Sequence, residues 1–291
     1  MKKLLICLIL ATSYVHADTP DEIKNLTPPE VEGLQWSRWT SKNFVVLSLD
    51  HSSTSYFYLH KHLESIKTWS LARWGLLDVD FSVACKIICV EDKEMFKKLF
   101  RLEKTKVEVR RDENGKIKET IIFLLADSPP SSSLPAPLFE VCLAEFGQKY
   151  NTDFGWWAYR GMSLLNSSET QIRSAILNVR EQMTSDNEIY FSESLLTLTK
   201  DNWGKLSDQQ QQLFDELSMI LCLMIRKEFG QEKFQFLLKE SVDQPDDALR
   251  NCTNFQNYQI FDQAFKRYLK DLSGDILNKK TPIHYLQVKE N

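Results

Sequence analysis

The spacing of apolar and polar positions divides this chain into a β-rich first half and a helical second half. Residues 42–50, containing Asn-Phe-Val-Val-Leu-Ser-Leu, have the β-branched and aromatic content of a strand. From Ser53 to Arg73 the positions Tyr56, Leu59, Leu63, Ile66 and Trp69 recur three or four residues apart, which is one face of a helix. Residues 81–90 read as a second strand and 92–102 as a short helix. Residues 107–111 and 117–125 flank Asn114-Gly115, a dipeptide that fits the positive φ angles of a tight hairpin turn. A hairpin is expected there, its alternating first arm at a sheet edge and its apolar second arm inside. A Ser/Pro-rich loop over 127–137 closes this half. Helical spacing then holds over 138–150, 170–183, 208–229, 231–240 and 255–272, with Gly230 as a cap between two of these helices.

This order predicts an α+β fold: an N-terminal mixed β-sheet with helices, followed by a mainly helical C-terminal subdomain. The expected boundaries are a proline-bearing irregular lead-in at 18–40, a sheet-containing subdomain at 41–137, a helical subdomain at 138–272 and a tail at 273–291. There is no internal repeat, and low complexity is confined to Gln209–Gln212.

The first 17 residues have the make-up of a secretory leader. Lys2 and Lys3 form a basic start, residues 4–12 an apolar stretch too short to span a bilayer, and Val15-His16-Ala17 a small-x-small site that places cleavage between Ala17 and Asp18. Ile6 before Cys7 is too large for a lipoprotein signal. A periplasmic or secreted location is therefore expected, and no later run is long and apolar enough for a membrane span. Loss of the leader removes two lysines and no acid, taking the net charge from −4 to −6. A mildly acidic chain without a basic block argues against nucleic acid as a partner.

Beyond the leader stand Cys85, Cys89, Cys142, Cys222 and Cys252, an odd number. Cys85 and Cys89, four apart in one predicted strand, would lie about 13 Å from each other, beyond disulfide reach. The thiols read best as small buried hydrophobes.

Two neighbouring segments carry the candidate chemistry. The first is Leu138-Phe-Glu-Val-Cys-Leu-Ala-Glu-Phe-Gly147 and the second Phe154-Gly-Trp-Trp-Ala-Tyr-Arg-Gly-Met-Ser163. The second resembles the W-x-x-E-G-[LM]-[AS] helix of the peptidase MA-like gluzincins, whose glutamate is the third zinc ligand. Trp157, Gly161, Met162 and Ser163 fit that pattern, and Arg160 stands at the glutamate position. The first segment lies where the family carries H-E-x-x-H, and it has no histidine. Its natural register is Cys142-Leu143-Ala-Glu145-Phe146; a shift by one gives Val141 to Glu145. The resemblance runs from about Trp39 to Leu272 and includes the segments starting at Leu213, Phe229 and Phe261. It implies a twisted sheet over the first of these helices and a helical subdomain completing a cleft.

A zinc peptidase needs two neutral imidazoles at i and i+4 on one helix face, a glutamate as general base and a carboxylate from the next helix. Cys142, Leu143, Glu145, Phe146 and Arg160 are thus vestigial metal-site positions, and no metal, cofactor or catalytic residue is expected. Arg160 has no lone pair to donate and stays protonated. It is expected to pair with Glu145 or Glu140 where the cation would sit. Elsewhere, His60 and His62 cannot share an ion on a helix, being about 200° apart, though as a strand they could hold one with Glu64. His51 and His284 stand isolated. Trp156, Trp157 and Glu140 are candidates for lining a cleft, with packing the commoner role for Trp157.

The function these features predict is that of an exported pseudo-peptidase, retained as a binding or scaffolding protein of the cell envelope. Its partner would be a peptide, a wall fragment or another envelope protein. The alternatives are a hydrolase using carboxylates without zinc, such as Glu145 with Glu140 or Asp153, and a purely structural envelope protein.

Overall fold

Strands form where β-branched and aromatic residues alternate, and in the computed structural model they join one mixed sheet. The structure describes residues 15–17, 34, 36–49, 55–126, 133–184 and 192–277. Among them the strands are β1 (Val15–Ala17), β2 (Trp36–Thr40), β3 (Phe44–Leu49), β4 (Cys85–Val90), β5 (Lys106–Arg111) and β6 (Ile117–Leu125). Their order is β1-β2-β3-β4-β6-β5. The β3–β4 and β4–β6 pairs are parallel, and the remaining pairs are antiparallel.

Ile121, Phe123 and Leu125 of β6 share one face with Ile88 and Val90 of β4 and Leu47 of β3. On that face lie Phe96 and Leu99 of helix α2 (Lys93–Phe100), which begins where the Asp92 carboxylate accepts the Met95 N–H at 2.6 Å. Trp36 of β2 belongs to this core. Residues 36–40 are therefore a paired strand and not part of an irregular lead-in. Trp36 and Trp39, both buried, supply the aromatic content that Trp36-Ser-Arg-Trp-Thr carries in five residues.

The hairpin is present, but its turn is not the two-residue type. Only Gly115 has positive φ, at 76°. The Gly115 N–H donates to the Asp112 carbonyl, and the Asp112 carboxylate accepts from the N–H groups of Asn114 and Lys116 at 2.9 Å each. Asp112 thus builds an Asx-type loop in which Asn114 need not adopt left-handed geometry. The extra length is taken up by a register shift between Arg110 and Arg111.

The chain falls into two compact units: Met1–Glu64 with Phe81–Pro130, and Ser65–Asp80 with Ser131–Asn291. Helix α1 (Ser55–Ala72) is shared between them, its second half belonging to the helical unit. That unit contains α3 (Pro135–Tyr150), α4 (Trp156–Leu164), α5 (Glu169–Thr184), α6 (Ser192–Thr197), α7 (Lys200–Trp203), α8 (Asp208–Glu240), α9 (Pro245–Thr253) and α10 (Tyr258–Leu277). The fold is α+β, as the apolar periodicities predict. Helices α6, α7 and α9, nine residues or shorter, are too brief to show helical periodicity.

Helix α8 starts with a capping box between Ser207 and Gln210 and breaks at Gly230, where φ is 84° and ψ 171°. Gly230 separates two helical stretches as expected, in an extended positive-φ conformation and not the αL conformation of a cap. Along the apolar run 217–225 every residue of α8 is buried. Helix α4 crosses this run where Gly161 has no side chain: a Cβ there would lie 2.4 Å from the Ser218 carbonyl oxygen. Trp74 is wedged between Phe139 and Phe234, with ring centroids 6.4 and 5.5 Å away. The five cysteines from Cys85 onward are all buried, as their reading as small hydrophobes expects.

Candidate functional site: an arginine between two acids

Three helices of the second unit converge on Arg160. Its place on α4 follows from the Gly161 contact, which brings that helix against α8. From α3, Glu140 Oε1 accepts a bond from Arg160 Nη1 at 2.6 Å. From α8, Asp215 accepts two: Nε to Oδ1 at 2.9 Å and Nη2 to Oδ2 at 2.5 Å. This is the parallel fork that a planar guanidinium makes with a carboxylate.

Aromatic rings enclose the cation. Its carbon lies 4.9 Å from the Trp203 ring centroid and 5.8 Å from that of Trp156. Trp203 Nε1 donates to Asp215 Oδ1 at 3.2 Å, Tyr159 stacks on Trp156, and the Tyr159 hydroxyl donates to the Glu140 carbonyl at 2.6 Å. The Lys200 ammonium lies 5.7 Å from the Trp156 centroid. Two carboxylates, Arg160 and Lys200 therefore balance in charge.

Burial disfavours the Arg160 cation, but the charges of Glu140 and Asp215 more than offset this and raise its pKa above the ordinary arginine value. Burial likewise pushes Glu140 up from the usual carboxylate range, against the opposing pull of Arg160.

Of the two acids expected for Arg160, Glu140 is the partner and Glu145 is not. Glu145 is buried at 2 % exposure elsewhere on α3. Cys142 and Leu143 are buried core, and Phe146 packs on Tyr150 and Phe154 with centroids 4.5 and 5.9 Å away. Glu140 precedes Cys142 by two residues, about 200° around the helix. The Cys142–Phe146 register therefore does not face Arg160. Trp157 is fully buried and donates to Ser241 Oγ at 3.3 Å, which is a packing role, whereas Trp156 belongs to the Arg160 surround. Asp153 is exposed.

Asp215 and Trp203 are the residues that local reading missed. Asp215 stands 55 positions from Arg160, and only the Leu213-Phe-Asp-Glu segment of the family resemblance pointed to its neighbourhood.

Residues 55–72 are helical, so the strand arrangement that would let His60 and His62 hold a metal does not occur. Glu64 instead accepts from Asn43 N at 3.0 Å, Asn43 Nδ2 at 2.7 Å and Ser41 Oγ at 3.0 Å. Among the described residues there is no group of three or more His, Cys, Asp and Glu able to hold a metal ion, and no helix is long and apolar enough to cross a membrane. His51, His284 and Asp18 lie outside the described residues, as does the leader up to residue 14. Ala17 lies in β1, paired with Trp36.

No protein-family model, curated protein or solved structure matches this chain. A guanidinium that stays protonated is neither a base nor a metal ligand, and both nearby carboxylates already accept its N–H groups. Such an arrangement fixes three helices relative to one another.

Proposed function

We propose that this chain is an exported, non-catalytic relative of the gluzincins that serves the cell envelope as a binding or scaffolding protein. The observation that carries the reading is the satisfied Arg160 cluster. At the position where the resemblance calls for a ligating glutamate, the helical unit has a cation clamped between Glu140 and Asp215. In that role the cluster holds α3, α4 and α8 in fixed register, and their outer surfaces meet the partner. Export rests on the basic and apolar start of the chain and on Val15-His16-Ala17.

Expression of the full chain in a bacterial host, followed by fractionation, N-terminal sequencing and elemental analysis, tests the proposal. The expected product begins at Asp18, lies outside the cytoplasm and contains no stoichiometric zinc. It is inert towards peptide and glycoside substrates. Turnover that disappears in a folded Glu140→Gln variant would establish the carboxylate hydrolase instead.

A further inference from the structure

A second pair of arginines, Arg73 and Arg226, shows the opposite arrangement to Arg160. Arg73 follows α1 and donates from Nη1 to the Leu165 carbonyl at 3.0 Å, at the C-terminal end of α4. Arg226, on α8, donates from Nη2 to the Arg73 carbonyl at 2.6 Å. Both guanidiniums lie on the same indole, 5.8 and 5.0 Å from the Trp74 centroid, and Arg73 also lies 5.4 Å from that of Trp69.

A guanidinium carries five N–H donors, and Arg73 and Arg226 each give one bond to a protein carbonyl. Neither is in ion-pair contact with a carboxylate among the described residues, and Arg73 Nε is buried without an acceptor. Partly buried cations are ordinarily paired with an acid, as Arg160 is. Here two like charges share one indole, offset by aromatic faces and by the carbonyls at two helix ends and not by an acid among the described residues. Burial and this mutual repulsion lower the Arg73 pKa to about 10, and burial lowers that of Arg226 similarly. Trp69, 53 % exposed, leaves an aromatic ledge open to solvent beside them.

We infer that Arg73 and Arg226 form a binding site for an oxyanion, the carboxylate or phosphate group of a ligand that rests against Trp69. Guanidinium forks match the geometry of either group, and an anion would take up Nη donors that the two carbonyl bonds leave unused and cancel the repulsion. This site is separate from the Arg160 cluster and stands whether or not the chain is a degenerate peptidase.

The test is titration of the full chain by calorimetry with inorganic phosphate and, separately, with succinate, chloride being adjusted to hold ionic strength constant. Saturable one-to-one binding of either probe is expected, and which one binds tells a phosphate from a carboxylate ligand. Arg226→Met should weaken that binding about tenfold or more, through loss of a charged hydrogen-bond donor. Arg226→Lys, which keeps the charge and folds if the methionine variant does not, should weaken it less. The Nε–H resonances of Arg73 and Arg226 should shift on titration. Absence of saturable binding to both probes, or equal affinity in wild type and in the folded Arg226 variants, would reduce the pair to helix-end caps and overturn the inference.

Discussion

Arg160 grips Asp215 with two parallel hydrogen bonds, 2.9 and 2.5 Å long, between helices α4 and α8. The remaining Nη1 reaches Glu140 of α3. With side-chain exposures of 21, 16 and 15 % for Arg160, Glu140 and Asp215, the three charges are largely screened from water. Such a cluster contributes little net stability over an apolar core of the same volume, because desolvation offsets attraction. Removing one member nevertheless exposes the full penalty.

Asp215→Ala is therefore expected to lower unfolding free energy by about 3–5 kcal/mol, the usual effect of removing one partner from a buried charge cluster. Urea denaturation checks this. Glu103→Ala, which breaks the well-exposed Lys97–Glu103 pair, should leave the midpoint unchanged. Equal effects of the two substitutions would show that the Arg160 cluster is solvated and holds nothing together.

The division of labour within this cluster shows what the linear order reveals and what it hides. Periodicity reveals α3 and α8, because each buries one face or more; α4 is marked only by the family resemblance, in which the arginine in place of an expected acid makes Arg160 unusual. Asp215 stays hidden because its pairing depends on the crossing of α4 over α8 at Gly161, a contact with no local pattern. Strand β2 is obscured by the proline-bearing residues before it, although its two tryptophans mark a buried ribbon. The Asp112 loop fails for another reason: the side chain makes the turn, so the two central residues mislead.

Glu140 gives the pH dependence. Its folded pKa is raised by burial, with Arg160 pulling the other way. Arg160→Met removes that opposing charge and leaves Asp215 beside Glu140, so the folded state of the variant holds a proton that the unfolded state releases. Stability from a raised carboxylate is fully present below its ordinary value of 4.5 and is lost as pH rises through the folded value. The deficit of Arg160→Met relative to wild type should thus be smaller at about pH 5 than at about pH 8. Urea titrations of both chains at the two pH values read it directly. A deficit that does not change with pH would mean that Glu140 is not the group left stranded.

Gly161 and Gly230 separate crowding from backbone strain. A Cβ at Gly161 meets the Ser218 carbonyl oxygen at 2.4 Å and Cys222 Sγ at 2.8 Å, so Gly161→Ala must push α4 off α8. A loss of about 2–3 kcal/mol is expected from such overpacking. At Gly230 nothing lies within 4 Å, and the alanine meets only the cost of an extended conformation at φ +84° and ψ 171°, about 1–3 kcal/mol. Adding Cys222→Ala should not rescue Gly161→Ala, because the carbonyl contact remains. Full rescue in thermal melts would place the crowding on the sulfur alone.

The family resemblance itself can be tested by trying to fill in the motif. Cys142→His, Leu143→Glu, Phe146→His and Arg160→Glu together restore the letters H-E-x-x-H and the downstream glutamate. The side chain on α3 that faces position 160 is Glu140, and position 142 lies about 200° away from it around the helix. Histidines at 142 and 146 would point into packed interior and towards Tyr150 and Phe154, so their imidazoles could not converge on a cation beside residue 160. The quadruple variant is expected to bind no stoichiometric zinc by equilibrium dialysis. It should also be less stable than wild type, since Glu140, Asp215 and the carboxylate introduced by Arg160→Glu would cluster as three acids. Tight zinc binding by a folded quadruple variant would show instead that α3 can turn to present those positions. In that case the arginine cluster is a later replacement of a metal site in the original register.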